Sequence, residues 1–327
     1  MIYLNEDEVR RNLPWAGLMQ AIAAAVAENQ IIAPRRLSFE LPPLSGDVTG
    51  HLLIMPAWRG GATIGIKTVT YRPDNRRRGE RSHGASYILI DGRSGETLAV
   101  LDGRELTERR TAAVSALAAR ILARADSSRL LVVGTGPVAR NLALAHAASR
   151  NLASIEIYGR DPAHAASVVE ALGRDDVRAR VCEDLPASAA AADIITSATS
   201  ALSPVVLGAW LRPGVHVDLV GSFTPEMREV DDALMARADA IWVDTSVAAA
   251  ESGDLLVPLA AGAIAAQSIA GDLKSLLTNG AGPRDPRHIT VFKSVGFATS
   301  DLAAAQAALA GAVGRSDAPR PRAPSHG

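Results

Sequence analysis

The chain has 327 residues, a formal net charge of −1 and 48% hydrophobic residues. That length allows two domains or one large one, and the balanced charge excludes the global basic field that recruits nucleic acid. The single cysteine, Cys182, excludes an internal disulfide, and seven histidines without H-x-x-x-H or C-x-x-C spacing argue against a metal site.

The segment MIYLNEDEVRRNL is charged and holds no apolar signal core, so a cytoplasmic chain is expected. Asn5 reads as a helix cap, with Glu6, Asp7 and Glu8 suited to the positive end of the helix that follows. Residues 18–26 form a second helical pattern. From Arg36 to Leu101 the character changes. Residues 37–41, 50–55, 62–70 and 85–91 read as strands separated by Pro and Gly, and the turn 91–95 followed by 96–101 is a hairpin signal. The polar loop 72–84, with Arg76, Arg77 and Arg78, either closes over an anionic ligand or stays solvated. A long helix is predicted to open at Thr107, which puts Arg109 and Arg110 in its first turn, the wrong end of the dipole for a cation. One of them is expected to pair with a carboxylate such as Glu108, and the other to hold a substrate carboxylate.

From Arg129 the pattern alternates strand and helix. Strands are expected at 130–133, 154–158, 178–182, 194–197, 216–220, 240–243 and 290–293, which predicts a doubly wound parallel sheet. The uncharged stretch 255–271, broken by Pro258 and Gly262, is expected to cover that sheet rather than span a membrane. The run Gly134-Thr135-Gly136-Pro137-Val138-Ala139 lies between a predicted strand and a predicted helix. Gly134 allows the turn, Gly136 lets a diphosphate approach bare backbone, Pro137 suits a helix start, and Ala139 permits close helix–strand packing. A fold of this kind that takes NAD places an acid at the end of its second strand. Here Gly159 stands at that position and Arg160 follows, which leaves room and charge for a 2′-phosphate and favours NADP(H), with NAD(H) possible through Asp161. A last helix begins near Asp301 and is expected to pack on the first unit. The fold class is therefore α/β: a sheet-rich first unit, then a doubly wound, Rossmann-type nucleotide-binding unit from about residue 126 to 299, with a disordered tail at 316–327.

Met55-Pro-Ala57, Gly65-Ile-Lys67, Arg110-Thr-Ala-Ala113, Val133-Gly-Thr-Gly-Pro-Val-Ala139, Thr196-Ser-Ala-Thr199, the run 220–232 and Val291-Phe-Lys-Ser-Val-Gly-Phe-Ala298 together carry a resemblance. The chain resembles the ornithine cyclodeaminase/mu-crystallin family over almost its whole length. The resemblance implies that the nucleotide-binding domain (126–299) is inserted into a smaller α+β substrate and dimerisation domain (1–125 plus 300–315), that the protein is a homodimer formed through the N-terminal sheets, and that the substrate is a small α-amino or α-imino acid. It implies Arg36, Lys67 and Arg110 as holders of the substrate carboxylate, with Lys67 also a proton donor. Candidate cofactor residues are Gly134, Thr135, Gly136, Pro137, Val138, Ala139, Gly159, Arg160, Ala198, Thr199, Val220, Gly221, Ser294 and Gly296. Two positions depart from the cyclodeaminase pattern. Phe223 stands where that group carries its proton-transfer aspartate, and Leu53 where it carries a glutamate. Glu226 and Glu229 are expected to aim elsewhere. General acid–base chemistry needs a group within reach of the reacting nitrogen, and phenylalanine cannot serve. The expectation is NAD(P)H-dependent reduction of a cyclic α-imino acid such as Δ1-pyrroline-2-carboxylate, with Phe223 and Leu53 as apolar walls. Ornithine cyclodeaminase, alanine dehydrogenase and an NADPH-dependent binding protein are the alternatives.

Overall fold

The computed structural model describes residues 1–43, 49–72, 75, 78–282 and 285–316, the side chains of 315 and 316 excepted. The first unit contains β1 (Ile2–Leu4), α1 (Glu6–Asn12), α2 (Trp15–Glu28), β2 (Ile31–Ile32), β3 (Leu37–Leu41), β4 (Gly50–Arg59), β5 (Thr63–Tyr71), β6 (His83–Asp91), β7 (Thr97–Asp102) and α3 (Gly103–Leu122). Its sheet runs β1-β7-β6-β5-β4-β2, with β3 also pairing β4. Asn5 and Glu8 close a reciprocal cap at the start of α1. The β6–β7 turn is held by Asp91, whose carboxylate accepts the Arg93 and Ser94 N–H groups at 2.8 Å each. β1 escapes a pattern search because it has only three residues, which are too few to alternate.

The predicted start of α3 needs correction. The helix begins at Gly103, capped by the Asp102 carboxylate on the Arg104 and Glu105 N–H groups, so Arg109 and Arg110 lie beyond the first turn. No dipole penalty attends them there. Glu108 is not their partner either. Arg109 donates to the Leu13 carbonyl, stacks over Trp15 and lies 3.8 Å from Glu105.

The second unit comprises β8 (Arg129–Val133), α4 (Pro137–Ser149), β9 (Ser154–Tyr158), α5 (Pro162–Gly173), β10 (Arg180–Val181), α6 (Leu185–Ala191), β11 (Ile194–Ser197), β12 (His216–Leu219), α7 (Asp232–Arg237), β13 (Ala240–Val243), α8 (Ala248–Glu251), α9 (Gly253–Ala260), β14 (Ile269–Asp272), α10 (Leu273–Asn279) and β15 (Thr290–Lys293). The strands are parallel in the order β10-β9-β8-β11-β12-β15-β13-β14. The order reverses direction between β8 and β11, the switch point at which such sheets bind ligands. The stretch expected merely to cover the sheet instead makes α9 and then supplies β14, an edge strand on β13. β14 lacks alternation because Gly271 lies hard against Trp242 and Ser275.

α11 (Ala298–Ser316) returns to pack on α1, α2, α3, β4 and β5. α3 touches β6 of one sheet and β12 and β15 of the other. Of the expected tail only Ser316 is described, and residues 73, 74, 76 and 77 of the basic loop lie outside the described residues. Among the described residues no helix is long and apolar enough to cross a membrane, and no cluster of acidic, histidine or cysteine side chains could hold a metal.

Candidate active site

The glycine turn sits where the chain leaves β8 for α4. Gly134 has φ 130°, and a Cβ there would stand 2.6 Å from the Ala198 carbonyl oxygen. Gly136 is the N-cap of α4 and Pro137 opens the helix. Chain neighbours aside, no heavy atom lies within 4 Å of where a Gly136 Cβ would stand, so the backbone at the helix start is open on that side. Ala139 is fully buried and Val138 packs against the neighbouring core. At the end of β9, a Cβ on Gly159 would come 2.4 Å from Thr135 Cγ2, so no side chain fits there as the turn stands. Arg160 is exposed, and the Asp161 carboxylate caps α5 by accepting the Ala163 N–H at 2.9 Å. These residues fit a dinucleotide: space at the helix start, no acid at position 159, and a cation beside it.

Two buried carboxylates tie together the other strand ends. The Glu229 carboxylate accepts Ser197 Oγ at 2.6 Å, Thr199 N at 2.7 Å and Gly221 N at 2.6 Å, with Thr199 Oγ1 and Ser222 N adding 3.0 and 3.2 Å contacts. Ala198, Thr199, Val220 and Gly221 are thus fastened from beneath. Burial pushes the Glu229 carboxyl up and Lys293 opposes that shift. Glu229 turns toward the ends of β11 and β12, and its lone pairs are taken by these donors. Asp244, after β13, does the same for the loop after β15. It accepts Ser294 Oγ at 2.8 Å, Val295 N at 2.9 Å and Gly296 N at 2.6 Å.

A cationic cluster faces this floor. Lys67 on β5 is 1% exposed, and its Nζ lies 2.7 Å from Asp301 Oδ2. Arg110 Nε on α3 donates to Asp301 Oδ1 at 2.6 Å. Burial pulls the Lys67 ammonium down to about 8; Asp301 holds it up, and the Arg110 and Arg36 charges push it lower. Burial disfavours the Asp301 charge too, but Arg110 and Lys67 outweigh it and keep the carboxyl below its ordinary range. Arg110 Nη1 is buried with no hydrogen-bond partner among the described residues. A Cβ on Gly296 would stand 2.7 Å from that same atom, which sets the unpaired donor against the loop that Asp244 holds.

Arg36, just before β3, donates through Nη2 to Glu251 at the end of α8, whereas Arg35 is exposed. Phe223 lies on the loop after β12 and is 39% exposed; Leu53 on β4 is half-buried and pairs with Val69 two positions from Lys67. The structure therefore brings Lys67 and Arg110 together on Asp301, keeps Arg36 within electrostatic reach of Lys67, and sets Ser294 and Gly296 beside them. Sequence reasoning missed Asp301, Glu251 and Asp244. For Asp244 a signal existed, an acid directly after a strand of a parallel sheet, where ligand sites form.

A doubly wound sheet with a bare glycine turn at its switch point, set against a buried lysine–arginine–aspartate cluster, is the architecture of a dinucleotide-dependent enzyme. The profile of the ornithine cyclodeaminase/mu-crystallin family matches residues 2–313, and the chain belongs to that family. It is 42% identical over 303 residues to the Delta(1)-pyrroline-2-carboxylate reductase of Paracoccus denitrificans, covering 92% of this chain and 93% of that one. Among solved structures it is similar to the Thermococcus litoralis Delta(1)-pyrroline-2-carboxylate reductase in complex with NADH and L-proline. That match has a TM-score of 0.89 and 28% identity, and covers 97% of this chain and 98% of the other. An archaeal alanine dehydrogenase dimer with bound NAD matches with a TM-score of 0.86 and 25% identity, covering 97% of each chain.

Proposed function

We propose that the protein reduces a cyclic α-imino acid, Δ1-pyrroline-2-carboxylate or a related ketimine, to the L-amino acid with NAD(P)H. The observation that carries this reading is the buried, unpartnered Nη1 of Arg110, held beside Lys67 and against Gly296. Such a donor is costly unless something accepts from it, and a substrate carboxylate supplies a charged acceptor. When bound, the reduced nicotinamide supplies the hydride to the imine carbon. Gly134, Gly136 and Ala139 would hold the diphosphate, and the loops at 198–199, 220–221 and 294–296 would hold the nicotinamide end. Arg110 and Arg36 orient the carboxylate. Lys67 gives the ring nitrogen its proton when the imine arrives neutral. Phe223 and Leu53 offer apolar surface to the ring, and fixing the ring in place carries much of the rate enhancement. Asp301 is the carboxylate between Lys67 and Arg110, and both cations already engage it, which argues against deamination.

Steady-state loss of coenzyme absorbance with Δ1-pyrroline-2-carboxylate and Δ1-piperideine-2-carboxylate tests this. Turnover of either is expected, and turnover of neither would reject the reading. Ammonia release from ornithine would point to a cyclodeaminase, NADH formation from alanine to a dehydrogenase, and tight NADPH binding without turnover to a binding protein. The acid form of Lys67 is the donor, so kcat/KM should fall as pH rises through about 8. A flat profile across that range would remove Lys67 from the role.

The coenzyme we infer is NADP(H), supported by the excluded side chain at Gly159, the exposed Arg160 and the engagement of Asp161 as a helix cap. A charge-assisted contact is worth roughly 1.5–3 kcal/mol. Arg160→Ala should therefore raise the KM for NADPH at least about tenfold and leave that for NADH nearly unchanged. Equal KM changes for both coenzymes would reassign Arg160 to the surface. A cytoplasmic homodimer completes the proposal, with residues 126–299 as the nucleotide-binding unit and 1–125 plus 300–315 as the substrate and dimerisation unit. The exposed apolar side chains Ile32, Leu37 and Phe39 on β2 and β3 support pairing through the first sheet.

A further inference from the structure

The pair formed by Arg36 and Glu251 links two elements remote in the chain. Arg36 precedes β3 of the first sheet, and Glu251 ends α8 of the nucleotide sheet. Glu251 therefore spends its charge on one of the cations that the proposed reading gives to the substrate. The side chains are 22% and 13% exposed, so the pair sits where the interior meets solvent, not out in bulk water. Arg36 is also close enough for its charge to bear on the buried Lys67.

The charges of the cluster can be counted among the described residues. Its cations are Arg36, Lys67 and Arg110, and its carboxylates are Asp301 and Glu251. One positive charge is left over, and within the cluster the buried cationic donor without a hydrogen-bond partner belongs to Arg110. Arg36 has its Nη2 committed to Glu251, with its remaining N–H groups available to share a substrate carboxylate. A site so balanced accepts one carboxylate. A second carboxylate on the same substrate would find no uncommitted cation and would face Glu251, a like charge in a poorly solvated place.

Resting on the reductase reading above, we propose that Glu251 is a specificity-determining residue that restricts the enzyme to imino acids with a single carboxylate. It does so by occupying Arg36 and repelling a second anionic group. Without Glu251 the excess charge rises to two, and Arg36 becomes free to bind a dicarboxylic substrate.

A matched pair of ring imines tests this: Δ1-piperideine-2-carboxylate and Δ1-piperideine-2,6-dicarboxylate, which differ by one carboxylate. The wild-type enzyme is expected to prefer the monocarboxylate in kcat/KM. Glu251→Gln should narrow that preference at least about tenfold, chiefly by lowering KM for the dicarboxylate, because the lost interaction is repulsion in binding and not a step of the chemistry. Glu251→Asp keeps the charge and should keep most of the preference. A merely structural role would change both substrates together and would not separate the Gln from the Asp variant. Equal use of the two substrates by the wild-type enzyme, or an unchanged ratio in Glu251→Gln, would overturn the proposal while leaving reductase activity itself in place. If the wild-type enzyme reduced neither of these imines nor Δ1-pyrroline-2-carboxylate, the reductase reading would fall first; if it reduced only the pyrroline, inhibition of that reaction by the two saturated acids below decides. Should Glu251→Gln not fold, competitive inhibition of the wild-type enzyme by piperidine-2-carboxylate and piperidine-2,6-dicarboxylate decides the question, with equal inhibition overturning it.

Discussion

Asp301→Ala should cost about 3–5 kcal/mol of stability and reduce kcat/KM at least about a hundredfold, because two buried cations share this one carboxylate as their counter-ion. Asp301 Oδ1 accepts from Arg110 at 2.6 Å, and Oδ2 lies 2.7 Å from Lys67 Nζ. Removing it leaves an ammonium and a guanidinium close together without a counter-ion. The lysine can escape by losing its proton, and the arginine cannot. Asp301 is also the strongest influence holding the Lys67 pKa up against burial. The Asp301→Asn enzyme, whose side chain keeps its size, should therefore carry its pH–rate limb from about 8 to lower pH. Urea denaturation gives the stability change, and coenzyme consumption against pH gives the limb. Wild-type stability with an unmoved limb in Asp301→Asn would separate Asp301 from the control of Lys67.

The second large effect belongs to Glu229→Gln. A carboxylate that accepts from Ser197, Thr199, Gly221 and Ser222 has only lone pairs to offer. The amide turns one of its two acceptor atoms into a donor. If it faces Gly221 and Ser222, their N–H groups lose their acceptor; if it faces Ser197 and Thr199, that side fails. At about 1–3 kcal/mol for each orphaned buried group, roughly 3 kcal/mol or more is lost. Lys293, 4.0 Å from Glu229, loses part of its compensation as well. Calorimetric titration should show dinucleotide affinity reduced at least about tenfold, since the loops held by Glu229 are those assigned to the nicotinamide end. The pH–rate limb should stay where it was, because Glu229 is not among the groups that set Lys67. An enzyme unchanged in both stability and dinucleotide affinity would show that these loops hold their shape without it.

The parts legible in the sequence were those whose cause is local. The glycine turn at 134–139 announces itself because strand, turn and helix follow each other within a few residues. The β6–β7 hairpin does so through Asp91 and Gly95. The start of α3 was misplaced because its cap, Asp102, is also the last residue of β7 and no loop separates them. The acidic half of the site was illegible for a different reason. Asp301 in the first turn of α11 looks like an ordinary response to the helix dipole, and only tertiary packing carries it to Lys67. Glu229 lies in a turn whose direction no pattern reveals. Glu251, at the end of a four-residue helix, finds Arg36 only when the two sheets are assembled.

α3 runs through the middle of the molecule, bears Arg110, and rests on β6 from one sheet and on β12 and β15 from the other. An unbroken helix of 20 residues is about 30 Å of stiff rod. Hinging between the sheets along that line would mean bending it, so the helix that carries Arg110 also braces the two sheets against each other.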